Sequence, residues 1–299
     1  MMEYHTTVLL HQGVEALDVD PKGVYVDVTF GGGGHSNVLL QELGDRGRLL
    51  AFDQDQDVIP RILQDSRFQL FEANFRFIKN FLKVAGVDKV DGLIADLGVS
   101  GHHFDSSDRG FSFRFKSDLD MRMNRNQSLD AKQVVNEYEL DDLIRIFRRY
   151  GETSFAPKIA RRILKARSEG VVATTDDLSK VVESCVPQHK FKSELTKIFQ
   201  AIRIEVNDEL GALEELLVAL PDVVRTGGRV VIISYHSLED RLVKHFFRSG
   251  NLDDNQEKDL YGNVLRSFNP LGKVVKPTPE EIEQNPRARS AKMRIAQKS

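Results

Sequence analysis

The stretch Val24-Tyr25-Val26-Asp27-Val28-Thr29-Phe30-Gly31-Gly32-Gly33-Gly34-His35-Ser36 decides the fold. Its β-branched and aromatic start, broken by a single acid, has the composition of a buried strand. Four glycines follow, where the missing Cβ lets the backbone turn tightly and lie close to a ligand. Residues 37–43 then take up a helical period. Strand, glycine turn and helix in this order are the opening unit of a nucleotide-binding α/β sheet.

Working outward, apolar runs at 49–53, 68–71 and 92–97 read as further strands, with helical segments such as 37–43 and 75–84 between them. Continuously apolar strands alternating with helices predict a parallel sheet covered on both faces. From 107 to 206 no buried strand is evident. Residues 141–150 set Leu143, Ile144 and Phe147 on one helical face, and 156–167 and 176–184 also have helical patterns. A helix at 208–220 carries leucines 210, 213, 216, 217 and 220, and Gly227-Gly228 reads as the turn into a strand at 229–234. A helix at 238–247 and a late strand at 293–296 complete the pattern, and the proline- and charge-rich tail beyond 269 is expected to be partly extended. The fold class is therefore α/β. The expected domains are a sheet domain in two segments, 1–106 and 207–299, and a mostly helical insertion at 107–206.

The 299 residues are 40% hydrophobic and 29% charged, as in ordinary globular proteins. No apolar run approaches the roughly 20 residues that span a bilayer, so no membrane partner is expected. The first residues lack the basic start and apolar run of a secretory signal. One cysteine, Cys185, permits neither an internal disulfide nor a cysteine-based zinc site, and a reducing cytoplasm is the expected location. The net charge of −3 conceals an asymmetry: residues 1–100 sum to −6 and the rest to +3. Residues 141–170 hold eight basic and four acidic groups, and 285–299 hold five basic and none acidic. Such patches suit a phosphate backbone, so RNA is not excluded as a partner.

Asp53 ends the second strand twenty residues after Gly33, where a carboxylate suits both hydroxyls of a ribose. The dinucleotide pattern G-x-G-x-x-G is met only in part, by Gly31 and Gly33 and then Ser36. Asp27 beside the turn would repel a pyrophosphate but could hold an ammonium, which favours S-adenosylmethionine and leaves NAD as the rival. Phe75, after the third strand, is placed to pack on adenine or to join the core. Asp96-Leu97-Gly98-Val99-Ser100 ends the fourth strand, the usual place for groups meeting cofactor and substrate. Neighbouring residues generally point in different directions, and adjacent His102 and His103 have no metal-ligand spacing to an acid, so no metal site is expected. His236 either faces the substrate or is a hydrogen-bonded structural histidine. Lys158, Arg161, Arg162 and Lys165 form one helical stripe, either solvated surface or a phosphate contact. Arg109 and Arg122, near Phe111 and Phe113, offer a mixture that could pair phosphates and stack bases, unless the rings fold under their loop. The tail arginines Arg287, Arg289 and Arg294 carry the same two readings.

Taken in order, further motifs resemble one family. They are His5-Thr6-Thr7-Val8-Leu9-Leu10, Thr29 to Ser36, Asp96 to Ser100, Arg109-Gly110-Phe111-Ser112-Phe113 and Asp120-Met121-Arg122-Met123. Phe199-Gln200-Ala201-Ile202-Arg203, Ile233 to Arg241 and Asn285 to Ser290 continue the match nearly to the end. The chain resembles the MraW/RsmH methyltransferases. That resemblance implies a Rossmann-like S-adenosylmethionine-dependent methyltransferase sheet with a helical insertion that recognises RNA. It implies methylation of the exocyclic N4 of a cytosine in small-subunit (16S) ribosomal RNA, free or in a ribosomal particle. Carried over residue by residue, the cofactor contacts are Gly33, Gly34, His35, Asp53, Phe75 and Asp96. The family has a glutamine within Ser-Ser-Pro-Gln-Leu-Asp after the fourth strand; here Ser100-Gly101-His102-His103-Phe104-Asp105 places His103 at that position. Amine methyltransferases of nucleic acids often carry an Asp/Asn/Ser-Pro-Pro-aromatic tetrad at this strand end. Asp96-Leu97-Gly98-Val99 departs from it, so no catalytic base follows from the motif.

Overall fold

The valine-rich run after Lys22 folds as strand β1 (Val24–Asp27) in a computed structural model that describes residues 7–99 and 108–299. Parallel neighbours flank it: β2 (Arg48–Asp53) on one side and β4 (Val90–Asp96) on the other, with β3 (Phe68–Glu72) outside β2 and β5 (Val224–Ser234) outside β4. Two short elements from the tail finish the sheet. β7 (Lys292–Lys298) runs antiparallel to β5, and β6 (Phe268–Pro270) antiparallel to β7, giving the order β3-β2-β1-β4-β5-β7-β6. The sheet is thus mixed, not wholly parallel. The tail also forms helix α11 (Pro279–Gln284), so it holds more regular structure than its composition suggests.

Alternation along the central strands sorts their side chains into two cores. Val26, Leu50, Leu93 and Ile232 face one side, where Ile78 and Leu82 of α3 (Ile78–Val84), Leu213, Leu216 and Leu220 of α9 (Glu209–Val223), and Phe246 of α10 (Ser237–Ser249) cover them. Tyr25, Leu49, Ile94, Val231 and Ile233 face the other, beneath Val14 and Leu17 of α1 (Leu10–Leu17) and Leu39 of α2 (Gly34–Glu42). Leu50 and Ile232 are fully buried, and burial of such a side chain stabilises by about 1.5–3 kcal/mol. Gly227-Gly228 do not form a turn before β5 but lie within it. There the pairing with β4 skips from Val90↔Val224 to Gly92↔Arg229, Gly227 has φ +81°, and a Cβ on Gly228 would come within 2.8 Å of the Asp91 carbonyl.

Residue contacts divide the chain into two compact units, Met1–Gly98 with Leu210–Ser299, and Val99–Glu209. The second is built from α4 (Ala131–Glu137), α5 (Leu140–Arg149), α6 (Ala156–Glu169), α7 (Thr175–Glu183) and α8 (Phe191–Asn207). Asp130 and Thr174 start α4 and α7 with capping boxes that satisfy the first free N–H groups. Leu143, Ile146, Phe147, Ile159, Ile163, Ile198 and Ile202 fill the space between the helices. No helix among the described residues is long and apolar enough to cross a membrane.

Candidate active site

The order of the strands reverses between β1 and β4, so their carboxyl ends open a crevice of the kind that binds ligands in α/β sheets. The glycine turn lies over it. Phe30 N–H donates to the Phe52 carbonyl (2.9 Å) and Gly33 N–H to the Phe30 carbonyl (2.7 Å), folding the turn back onto β2. Gly33 caps α2 with φ +77°, a left-handed conformation that a side chain disfavours. A Cβ on Gly34 would sit 1.8 Å from Thr7 Oγ1, so a glycine is needed where this helix begins. The N–H groups of its first turn, His35 among them, have no intrahelical acceptor.

Asp53 joins the turn to β2. Its carboxylate accepts from Gly31 N–H (2.8 Å) and Asp55 N–H (2.9 Å), leaving lone pairs for ribose hydroxyls. Phe75 begins a short 3-10 turn after β3 and is half-buried against the core. Asn74 fixes that turn, accepting from Arg76 N–H (3.0 Å) and donating to Gln54 Oε1 (2.9 Å) beyond β2. Asp27 behaves differently from the expectation of an ammonium ligand. It is 1% exposed, and Ser36 Oγ (2.6 Å) and Thr29 N–H (3.1 Å) donate to its two oxygens. It therefore holds the turn and acts on the crevice through its field.

Asp96, ending β4, receives the Tyr235 hydroxyl on Oδ1 at 2.7 Å, and its own N–H donates to Thr29 Oγ1 at 2.6 Å. Oδ2 lies 3.9 Å from His35 Nδ1. Burial, with the nearby Asp27 and Glu239 carboxylates, pushes the Asp96 carboxyl up to about 7, against the opposing hydrogen bond from Tyr235. Burial also lifts Asp53, to about 6, and raises Asp27. His35 is 3% exposed, its Nε2 has no hydrogen-bond partner among the described residues, and burial lowers its pKa to about 4, so the ring is neutral at pH 7.

Three carboxylates thus meet at the ends of adjacent strands, and among the described residues no lysine or arginine pairs with any of them. Bringing in a pyrophosphate would add like charge. A ligand with hydroxyls and a positive centre would relieve the repulsion, as a sulfonium nucleoside does. Open hollows at the opposite end of the sheet lack such convergence. Of the charged groups that line them, Lys79 pairs with Asp222, and Arg225 reaches outside its hollow to Asp91.

Other expected site residues are placed elsewhere. His103, with His102 and Ser100, lies outside the described residues. His236 is a capping residue: its side chain accepts from Glu239 N–H at the start of α10, and Nε2 lies 3.2 Å from the Glu239 carboxylate. Arg109 is 2% exposed and donates to the carbonyls of Arg122 (2.8 Å) and Met123 (3.1 Å). The Arg122 guanidinium donates two hydrogen bonds to the Asp120 carboxylate, at 2.9 and 2.8 Å, and others to the carbonyls of Arg125 and Gln127. Phe111 is buried and Phe113 packs edge-on against Phe199. These arginines and rings are engaged in contacts within the helical unit. Arg294 likewise pairs with Asp240 at 2.7 Å. Tyr235 went unnoticed in the sequence, although a phenol directly after the fifth strand was the available signal.

A Rossmann-like sheet of this strand order, with its antiparallel strand beside β5 and acids ending β1, β2 and β4, defines the fold class of S-adenosylmethionine-dependent methyltransferases. A model of the MraW methylase family matches residues 2–299, and the chain belongs to that family. It is 52% identical over 297 residues to ribosomal RNA small subunit methyltransferase H of Flavobacterium johnsoniae, covering 99% of this chain and 98% of that one. The protein of the same name from Christiangramia forsetii is 48% identical over 298 residues, covering 100% and 99%. Among solved structures, an rRNA methylase from Streptococcus thermophilus is similar with a TM-score of 0.44 at 10% identity, over 99% of this chain and 98% of that one.

Proposed function

We propose that the protein transfers a methyl group from S-adenosylmethionine to the exocyclic N4 of a cytosine in small-subunit (16S) ribosomal RNA. The observation that carries this reading is the acidic crevice at Asp27, Asp53 and Asp96, which suits a cationic nucleoside and disfavours NAD. End-to-end similarity to small-subunit RNA methyltransferases supports the choice of substrate. Asp53 would hold the ribose, Phe75 would flank the adenine, and Gly33, Gly34 and His35 would leave room and N–H donors beside the amino-acid end. Asp96 would stand at the boundary with the target base. The cofactor, when bound, supplies a methyl group already activated on a sulfonium.

The protein's part is then alignment, which can remove several kcal/mol of the barrier. Cytosine's amine is a weak nucleophile because its lone pair is delocalised into the ring, and it is shielded within a stacked helix. The base must therefore be unstacked from a loop or distorted region to reach the crevice. We assign RNA recognition to the helical unit, where Lys158, Arg161 and Lys165 lie exposed along α6. Mass spectrometry of small-subunit RNA from cells with and without the gene tests the function. An N4-methylcytosine that disappears with the gene is the expected result; an unchanged modification profile overturns the reading.

A further inference from the structure

We propose that Tyr235 is a positioning residue that aims the Asp96 carboxylate at the amine of the target base. The inference rests on the methyl-transfer reading above and adds a proton acceptor to it. Asp96 is anchored at two points: Thr29 Oγ1 accepts its backbone N–H, and the Tyr235 hydroxyl donates to Oδ1. Among the described residues no hydrogen bond takes up Oδ2, which is left to face a ligand, and at 20% exposure the side chain is still reachable from the crevice. The tyrosine is itself fixed. Its backbone N–H donates to Glu239 Oε2 at 2.9 Å, and Glu239 is locked with His236 in the capping box of α10. Such a chain of contacts sets one carboxylate orientation before any substrate arrives.

In the transfer, the amine lone pair forms the N–C bond while the C–S pair stays with the sulfur. The N–H proton passes to Asp96 Oδ2 and from there to solvent, so no further reactant is needed. Among the described residues, the groups facing Asp96 are Tyr235 from the β5–α10 turn, His35 from α2, Asp27 from β1 and Glu239 from α10. Only the Tyr235 hydroxyl among them lowers the Asp96 pKa, whereas both neighbouring acids raise it.

Tyr235→Phe removes the hydroxyl and keeps the ring. Assayed on small ribosomal subunits from cells lacking the gene, it should lower kcat on the order of ten- to a hundredfold. KM and S-adenosylhomocysteine affinity should stay within about twofold, and the acidic limb of the kcat profile should move to higher pH. Asp96→Asn should lose kcat at every pH. Wild-type kcat and pH profile in Tyr235→Phe, with N4-methylcytosine still produced by the wild type, overturn the proposal. Parallel losses of kcat and S-adenosylhomocysteine affinity overturn it too, by assigning the tyrosine to the cofactor pocket. Failure of the wild type itself to form N4-methylcytosine rejects the methyl-transfer reading, and this inference with it.

Discussion

Asp53 already accepts two backbone N–H groups, yet a carboxylate has about four lone-pair sites, and the remaining ones are suited to a diol. Asp53→Ala should weaken S-adenosylhomocysteine binding by about 1.5–3 kcal/mol, the usual worth of hydrogen bonds to a charged acceptor. Calorimetry checks this, and an unchanged affinity removes Asp53 from the site. A second consequence concerns pH. Asp96 has a folded pKa raised to about 7, so between about pH 4 and 7 the folded chain keeps a proton that the unfolded chain has released. Stability from this group is therefore greatest below about pH 4 and falls as pH rises through 7. In Asp96→Asn the group is gone. The melting temperature of the ligand-free variant should gain on the wild type from pH 5 to about pH 7 and level off above it, and a constant difference across that range would contradict the assignment. Both acids were visible in the sequence as polar residues ending apolar runs. The engagement of Asp27 with Ser36 and of Asp96 with Tyr235 was not, because neither partner follows from local periodicity.

At the scale of elements, α6 keeps Ile159, Ala160 and Ile163 in the core and turns Lys158, Arg161 and Lys165 to solvent. Arg162 also reaches Ser184 at 3.2 Å. Reversing Arg161 and Arg162 to Glu should reduce RNA affinity and flatten its salt dependence, since each lost phosphate contact lowers the number of released counterions. Cofactor affinity should be unaffected. Filter binding at several salt concentrations decides whether the stripe is an RNA contact or only a solvated face. The late strand β7 depends on a different charge cluster. Asp240 on α10 is 9% exposed and accepts from Lys292 (2.9 Å) and Arg294 (2.7 Å), whose cations hold its carboxyl below the usual range despite burial. Asp240→Ala should destabilise the protein by about 2–3 kcal/mol in chemical denaturation, while the exposed Lys244→Ala should change little. An Asp240→Ala protein as stable as wild type would mean that β7 is held by its ladder and apolar contacts alone.

For the molecule as a whole, the choice between amine and ring-carbon methylation bears on Cys185. Attack at ring C5 usually needs a cysteine nucleophile, whereas attack by the exocyclic amine needs none. Cys185 is 2% exposed inside the apolar core of the helical unit. Cys185→Ser should thus retain most activity at some loss of stability, with N4-methylcytosine as the product. Loss of turnover in the folded variant, or 5-methylcytosine in the RNA, would reverse the assignment. The sequence alone determined the alternation of strands and helices, the glycine turn and the acids that end the strands, because each depends on side-chain period or on a backbone conformation open chiefly to glycine. It also carried the family motifs. Tertiary structure alone decided that β7 inserts antiparallel beside β5, that Gly227-Gly228 lie inside a strand, and that Arg109 and Arg122 serve the fold. It likewise joined Tyr235 to Asp96 across 139 positions of chain. Pairings of that separation come from how the strands are ordered in the sheet and from burial that leaves a polar group one available partner, and neither is written in any local stretch of residues.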